Sequence, residues 1–542
     1  MDSIKIRELE EKSTVNTTDT MIIEDNDGTK VVSIATLQSA IGKAFRYSTL
    51  EDVKNISFNE GDIVSTLGYH SVNDGGASTY IVVYAPAEVD NESTIIYLNT
   101  SDTLRLHLVT DGSISPIQGG AYGDGVNDDY SALSKLLKLG IPVSFPPKKF
   151  KISSPLIITN DTQVSFNGAE LINLTGSCIS IGQNERVVNK TIENAKCTGL
   201  RGIDTYVLAD TINIINCKFD GNSEVQMTNA ITSYGSNRVT ISNCVCGSDG
   251  KLATAITLTS GNSGMLNRGS SNIVIESCDI HSKNSAISIT GARNTDGVNI
   301  SNCTFYGSGS TSDPAIYVQS SDKYISVSKC IFISVGKAIS IASVIAAEVA
   351  ATDILVKDAK RMYSVDSNDS VLILNGLQTY CGSSNSNTYD YYFEHMSGTL
   401  IVNSNICGHK ELPTHLLLTA EKFSGKLQDR RVNDQITVSN ATGKSVNLTE
   451  FDVQLDYPIF NMDLVLNHSD ELLNIITFAN GSADAINGQV LSLYSERSSV
   501  LAVNRSNGNI KKIGSNDQTV TLAQYKPVKI RYNGSYWSVI DC

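Results

Sequence analysis

The side chains able to do chemistry in this 542-residue chain are mostly carboxylates, with a histidine and a lysine beside them. Glu276, Asp279 and His281 lie close together, Asp296 and Asp313 follow, and Lys337 comes after them. Glu224 and Asp249 are further acids of the same kind. Hydrolysis of a glycosidic bond uses two carboxyl groups about 5–9.5 Å apart, one as acid and the other as base or nucleophile. Each acid taken singly reads as a solvated edge. Asp279 and His281 flank the apolar Ile280, so strand alternation puts both on one face. Tyr389, Tyr391, Tyr392 and Phe393 supply rings that stack on sugars or fill an interface. No Walker loop, HExxH or GxSxG is present. No CxxC pair is matched by histidines, so no zinc is expected. The acidic turn Asp124–Asp129 does not demand calcium. The sequence therefore predicts neither metal nor cofactor.

The elements that must position these residues are written as a repeat. Ala230-Ile231, Ala255-Ile256, Ala286-Ile287, Ala315-Ile316 and Ala338-Ile339 recur every 23–31 residues. A second phrase, alternating Ile/Val ending in Cys, recurs at Cys217, Cys244, Cys278, Cys303 and Cys330. Such a period marks a solenoid. Each unit holds short period-2 strands broken by Gly, Asn and Ser, without a helical period. Stacked β-coils fit, because each coil buries its inward residues only against the next. Equivalent residues then lie about 4.8 Å apart. The Cys column becomes an internal line of small apolar thiols, extended by Cys197, and the thiols stay reduced if folding occurs in a cytoplasm. Asn216, Asn243 and Asn302, each before a Cys, predict a ladder of turns.

The flanks differ. In 1–42, Met21-Ile22-Ile23 and Val31-Val32 read as a hairpin around Asp25–Gly28. Ser33 then caps a short helix through Leu37 and Ile41. Residues 43–117 are β-rich, with turn glycines in Asn73-Asp74-Gly75-Gly76. In 118–430, Asp128 or Asp129 caps a helix with Leu133, Leu136 and Leu137 on one face, ended by Gly140 and Pro142. That helix would plug the open end of the coils. The repeat weakens after about Ala350 and is read as ending near 430. In 431–542 the strands lengthen, with turns at Asn507-Gly508 and Asn533-Gly534. The closing segment around the single Trp537 reads as a β-sandwich hairpin.

The net charge of −14 argues against nucleic acid, which needs a basic face. Met1–Glu11 is charged, so no export signal is expected. The apolar run Ile339–Val356 contains Glu348 and Asp353, so no membrane insertion is expected.

Two stretches carry a resemblance. Gly119-Gly120-Ala121-Tyr122-Gly123-Asp124-Gly125-Val126-Asn127-Asp128-Asp129 resembles the segment that opens the pectate-lyase-like β-helix of phage tail spikes, although Lys148-Lys149-Phe150 departs from its usual sequel. The resemblance implies an all-β, right-handed parallel β-helix, with a small N-terminal adaptor and a C-terminal β-sandwich cap, assembled as a homotrimer. It implies a virion protein, made in the host cytoplasm and acting at the host surface. Its partners would be phage tail or baseplate proteins, bound through 1–42, and bacterial surface polysaccharide. A depolymerase activity, hydrolase or lyase, would accompany binding; a non-catalytic receptor-binding spike and a cellular pectate-lyase-like enzyme are the alternatives. Asn294-Thr295-Asp296-Gly297 resembles a polygalacturonase motif, which implies catalytic roles for Asp296 and Asp313. Lys337 stands where that family has a histidine, and Pro314 or Ser312 replaces its second paired aspartate. Otherwise the motif is a coil turn. Glu276, Asp279, His281 and Lys337 are the expected substrate-binding residues.

Overall fold

The computed structural model describes residues 20–25, 28–33 and 44–376, with breaks at 249, 264–265, 291–295, 308–312, 320–323, 343–346, 358–360 and 366–369. Beyond 376 it describes strand backbones, with some side chains again within 514–541. The chain divides into two compact units, residues 1–150 with 162–164, and the remainder.

In the first unit, strand Thr20–Asp25 pairs antiparallel with Gly28–Ser33, as the hairpin reading expects. The helix expected after Ser33 lies outside the described residues. A five-stranded sheet follows, built from Ala44–Tyr47, Ile63–Thr66, Thr79–Tyr84, Ile95–Leu98 and Ser101–Leu108. Helix α1 (Leu50–Lys54) is closed by a capping box between Thr49 and Asp52, and it buries Leu50 and Val53 with Val64, Tyr80 and Leu106. The Asp74 carboxylate gathers the amides of Tyr69, His70, Ser71 and Gly76. Burial would raise its pKa, but these four amides outweigh burial and hold it below the usual carboxylate value.

Helix α2 (Tyr130–Leu137) buries Leu133, Leu136 and Leu137, and Gly140 follows at φ +70°. Asp129 occupies the cap position without making a side-chain cap bond. Its backbone there is helical (φ −89°, ψ −3°), so its carboxylate turns back instead. It accepts the amides of Tyr122 at 2.6 Å and Gly123 at 3.1 Å. Asp128 accepts the Tyr130 amide, and Asp124 accepts those of Val126 and Asn127. The acids of this segment therefore hold backbone turns.

The second unit is a parallel β-solenoid with three strands per coil. One wall is an eleven-stranded parallel sheet running from Val187–Glu193 to Asp452–Val453. A second strand is short, as in Lys218–Asp220, Asp279–His281 and Thr304–Tyr306. The third carries the Ala-Ile phrase. There Ile179, Ile203, Ile231, Ile256, Ile287, Ile316 and Ile339 fall in one register, continued by Tyr363. All are buried, and each contributes about 1.5–3 kcal/mol of apolar transfer energy that an isolated coil would lack.

Cys217, Cys244, Cys278, Cys303 and Cys330 are buried free thiols, stacked as expected. Each thiol reaches a carbonyl of the preceding coil, Ile192, Ile214, Ile241, Ile275 and Ile300 in turn, at 3.6–3.9 Å. Cys197 does not extend this column. It sits between Leu171 and Phe219 in the line Leu171, Cys197, Phe219, Cys246, Ile280, Phe305, Phe332. Ala195 precedes Cys217 and Ile354 follows Cys330, as the backbone bonds Lys218 N to Ala195 O and Leu355 N to Cys330 O require. The residue before each thiol is left-handed: Asn216, Asn243, Ser277, Asn302 and Lys329 have φ of 53–54°. The asparagine ladder therefore exists and is longer than its asparagines, because the corner demands the conformation in every coil.

Parallel pairing continues across residue 430 through Gln435–Asn440, Asn461–His468 and Val490–Ser495. Antiparallel pairing then takes over between 490–495 and Val528–Tyr532, between Ser499–Ala502 and Thr519–Leu522, and in the closing hairpin to Trp537–Asp541. The turn expected at Asn507-Gly508 lies outside the described residues.

Candidate functional site

The coil corner between the short strand and the Ala-Ile strand forms a small surface indentation lined by Ser282, Asn284, Tyr306, Asp313 and residues around them. His281 and Tyr306 occupy one register on adjacent coils, and their rings stack 4.1 Å apart at 7°. Alternation sends Ile280 and Phe305 inward and leaves His281 and Tyr306 on the outer surface. Asp313 stands just before strand Pro314–Val318, half-buried. Lys337 pairs with Pro314 on the next coil, and Gly336 before it lines the indentation. The fold thus gathers Asp313, Tyr306, His281 and the Lys337 position at one corner.

The other expected residues are placed differently. Asp279 is exposed on the same strand and face as His281. Glu276 ends a strand of the other wall, between Ser242 and Ser301, across the left-handed turn at Ser277. Asp296 opens strand Asp296–Ser301 of that same wall, paired with Ser271. Its neighbour Gly297, at φ +61°, falls in the slot held by Asn272, Arg238, Thr211 and Asn189, all left-handed. That is the position of a coil turn. Asp296 and Asp313 therefore begin different strands of different walls. Glu224 is exposed, Asp249 lies outside the described residues, and only the backbone of Tyr392 and Phe393 is described.

Tyr306 was missed by sequence reasoning, although its register with His281 follows from counting back to Cys303 and Cys278. A second cluster was missed entirely. Asp204 lies on the outward register between Ser180 and Thr232, yet its side chain is 1% exposed. Burial pushes its carboxyl above the usual carboxylate range, against the opposing pull of Arg201 and the hydroxyls of Ser177, Thr232 and Tyr206. Tyr206 and Tyr234 stack beside it, centroids 5.0 Å apart, and burial pushes the Tyr206 phenol up to about 12. The signal was present in the sequence: Ile203-Asp204-Thr205-Tyr206 matches Ile231-Thr232-Ser233-Tyr234, one coil earlier than the recognised phrase begins.

Among the described residues no group of three His, Cys, Asp or Glu is arranged to hold a metal ion, and no helix is long and apolar enough to cross a membrane.

No protein-family model and no curated protein matches the chain. Solved structures similar in fold include the enzymatically active domain of tailspike protein 2 of bacteriophage CBA120, at 14% identity and TM-score 0.46, over 74% of this chain and 58% of that one. The tailspike of Acinetobacter baumannii phage AM24 is similar at 12% identity and TM-score 0.39, over 84% of this chain and 68% of that one. The tailspike gp49 of Acinetobacter baumannii bacteriophage Fri1, described as a capsular polysaccharide depolymerase, is similar at 10% identity and TM-score 0.35, over 91% of this chain and 94% of that one. The chain thus spans less than two thirds of the length of the first of these.

Proposed function

We propose that this chain is a subunit of a phage tail spike that recognises bacterial surface polysaccharide. The observation that carries the reading is the coil corner where Asp313 and Tyr306 line one indentation and the Tyr306 ring stacks on His281 of the preceding coil. Aromatic faces take up the apolar faces of sugars, and a carboxylate accepts their hydroxyls. Stacked coils repeat such a corner about every 4.8 Å, which suits an extended polymer. In this reading residues 1–42 attach to the tail or baseplate, 43–117 form a neck, 118–430 hold the sugar-facing coils, and 431–542 close a homotrimer. The particle works in the virion at the host surface.

Depolymerisation is the second reading, favoured by the Asp313 carboxylate at that indentation. Asp313 would be the acid or base. Asp296, at a coil turn of the other wall, makes a weak partner, and Asp279 beside His281 is the better placed second carboxylate on the outward surface.

The test is to incubate the purified full chain with surface polysaccharides from a panel of bacterial strains and to measure both binding and the size of the glycan afterwards. Binding to one polysaccharide by a trimer supports the spike, and released oligosaccharides add the depolymerase. A monomer that binds no surface glycan overturns the proposal.

A further inference from the structure

Four coils before the Asp313 indentation, the outer face of the Ala-Ile strands carries the Arg201 cluster. Arg201 Nη1 is held twice: it lies 3.3 Å from Oδ2 of Asp204 and donates to the Tyr234 hydroxyl at 3.1 Å. Among the described residues nothing bonds its Nε or Nη2, and the side chain is 33% exposed. Neither Asp204 oxygen receives a hydrogen bond of good geometry. Asp204 is the floor of the cluster, and the stacked Tyr206 and Tyr234 form its side. Gly202 keeps the adjoining backbone tight, since a Cβ there would meet Ala230 O at 2.2 Å and the Phe219 ring at 2.4 Å.

Equivalent outward slots on neighbouring coils are neutral. Ser177, Asn229 and Thr254 share the register of Arg201, and Ser180, Thr232, Thr257 and Ser288 share that of Asp204. A buried carboxylate with only a guanidinium for charge partner is costly where a serine or threonine would serve. What it achieves here is orientation. A guanidinium held at one nitrogen, with its Nε–Nη2 edge open, is a fork that matches a carboxylate through two parallel hydrogen bonds.

We propose that Arg201, anchored by Asp204 and Tyr234, is a subsite that binds the carboxylate of an acidic sugar, so that the polysaccharide recognised by this spike carries uronate-like or sialate-like residues. The inference rests on the glycan-binding reading above and adds the charge of the substrate. Tyr206 and Tyr234 would meet the sugar beside that carboxylate.

The experiment uses the full chain against immobilised oligosaccharides, each uronate- or sialate-bearing probe beside its carboxyl-reduced counterpart, together with neutral probes. Wild type is expected to prefer the acidic member of a pair. Arg201→Gln should weaken that binding about tenfold to a hundredfold and abolish the preference. Arg201→Lys, which keeps charge but loses the fork, should retain only part of it. Arg238→Gln removes an exposed arginine of the other wall and should change nothing. Thermal denaturation checks that each variant folds, and if Arg201→Gln does not, Arg201→Lys decides. Equal binding of a probe and its reduced counterpart, or a preference that survives at Arg201→Gln, overturns the inference. In that case neutral-glycan binding leaves the spike reading intact. Binding to no probe at all removes both.

Discussion

The Asp129 carboxylate takes the Tyr122 amide at 2.6 Å, tying the start of the helix to the glycine-rich turn seven residues earlier. It also takes the Gly123 amide, and the residue is 1% exposed. Asp129→Ala leaves both amides without an acceptor in a buried place. The expected loss is about 3 kcal/mol, from hydrogen bonds to a charged group worth roughly 1.5–3 kcal/mol each. Asp124→Ala, at an exposed turn, should cost much less. Denaturant unfolding of the two variants checks the ranking; equal losses would show that Asp129 does not organise this segment.

Asp204 gives a pH dependence of definite sign. Burial raises its folded-state pKa above the unfolded value, so the folded state holds the proton more tightly. Its contribution favours folding below the ordinary carboxylate range and is lost as pH rises through the raised value. Asp204→Asn should therefore raise the melting temperature at neutral pH, and the gain should vanish in acid where the wild-type group is already protonated. A melting temperature that falls at neutral pH would mean the Arg201 ion pair outweighs burial.

The left-handed corner before the thiol column supplies a test of the coil. Lys329 holds φ +53° with an exposed side chain, where other coils use asparagine. A non-glycine residue in this region costs roughly 1–2 kcal/mol, and asparagine tolerates it better than lysine. Lys329→Asn should stabilise the protein by up to about 1 kcal/mol, and Asn302→Val should destabilise it. Chemical denaturation of the pair reads both signs.

Ile231 lies between Ile203 and Ile256 in a buried column. Ile231→Ala is expected to cost about 2–5 kcal/mol, because rigid coils above and below cannot collapse into the space. A loss below about 1 kcal/mol would argue against a close-packed column.

If the chain cleaves its glycan, Asp313→Asn should lower kcat by at least about a hundredfold with little change in melting temperature, in the range for loss of one general acid or base. Asp296→Asn should leave kcat near that of wild type. The reverse order, read as oligosaccharide released per minute, would return the chemistry to the Asn-Thr-Asp-Gly segment.

Strand alternation and the Ala-Ile and Cys spacings were enough to determine a stacked β-coil, because a period-2 strand that recurs with inward Ile and Cys has one way to bury them. The helix over Leu133–Leu137 and the hairpin at Gly28 were legible for the same local reasons. Side-chain destinations that depend on register were not. Cys197 looked like a member of the thiol column until pairing set it opposite Phe219. Asp129 looked like a helix cap until its own helical backbone turned it toward Tyr122. The bond from Arg201 to Tyr234 and the meeting of His281 with Tyr306 join residues 33 and 25 positions apart. Coil length varies with each loop, so only the folded register decides which outward residues stack, and a carboxylate becomes buried or paired through that stacking alone.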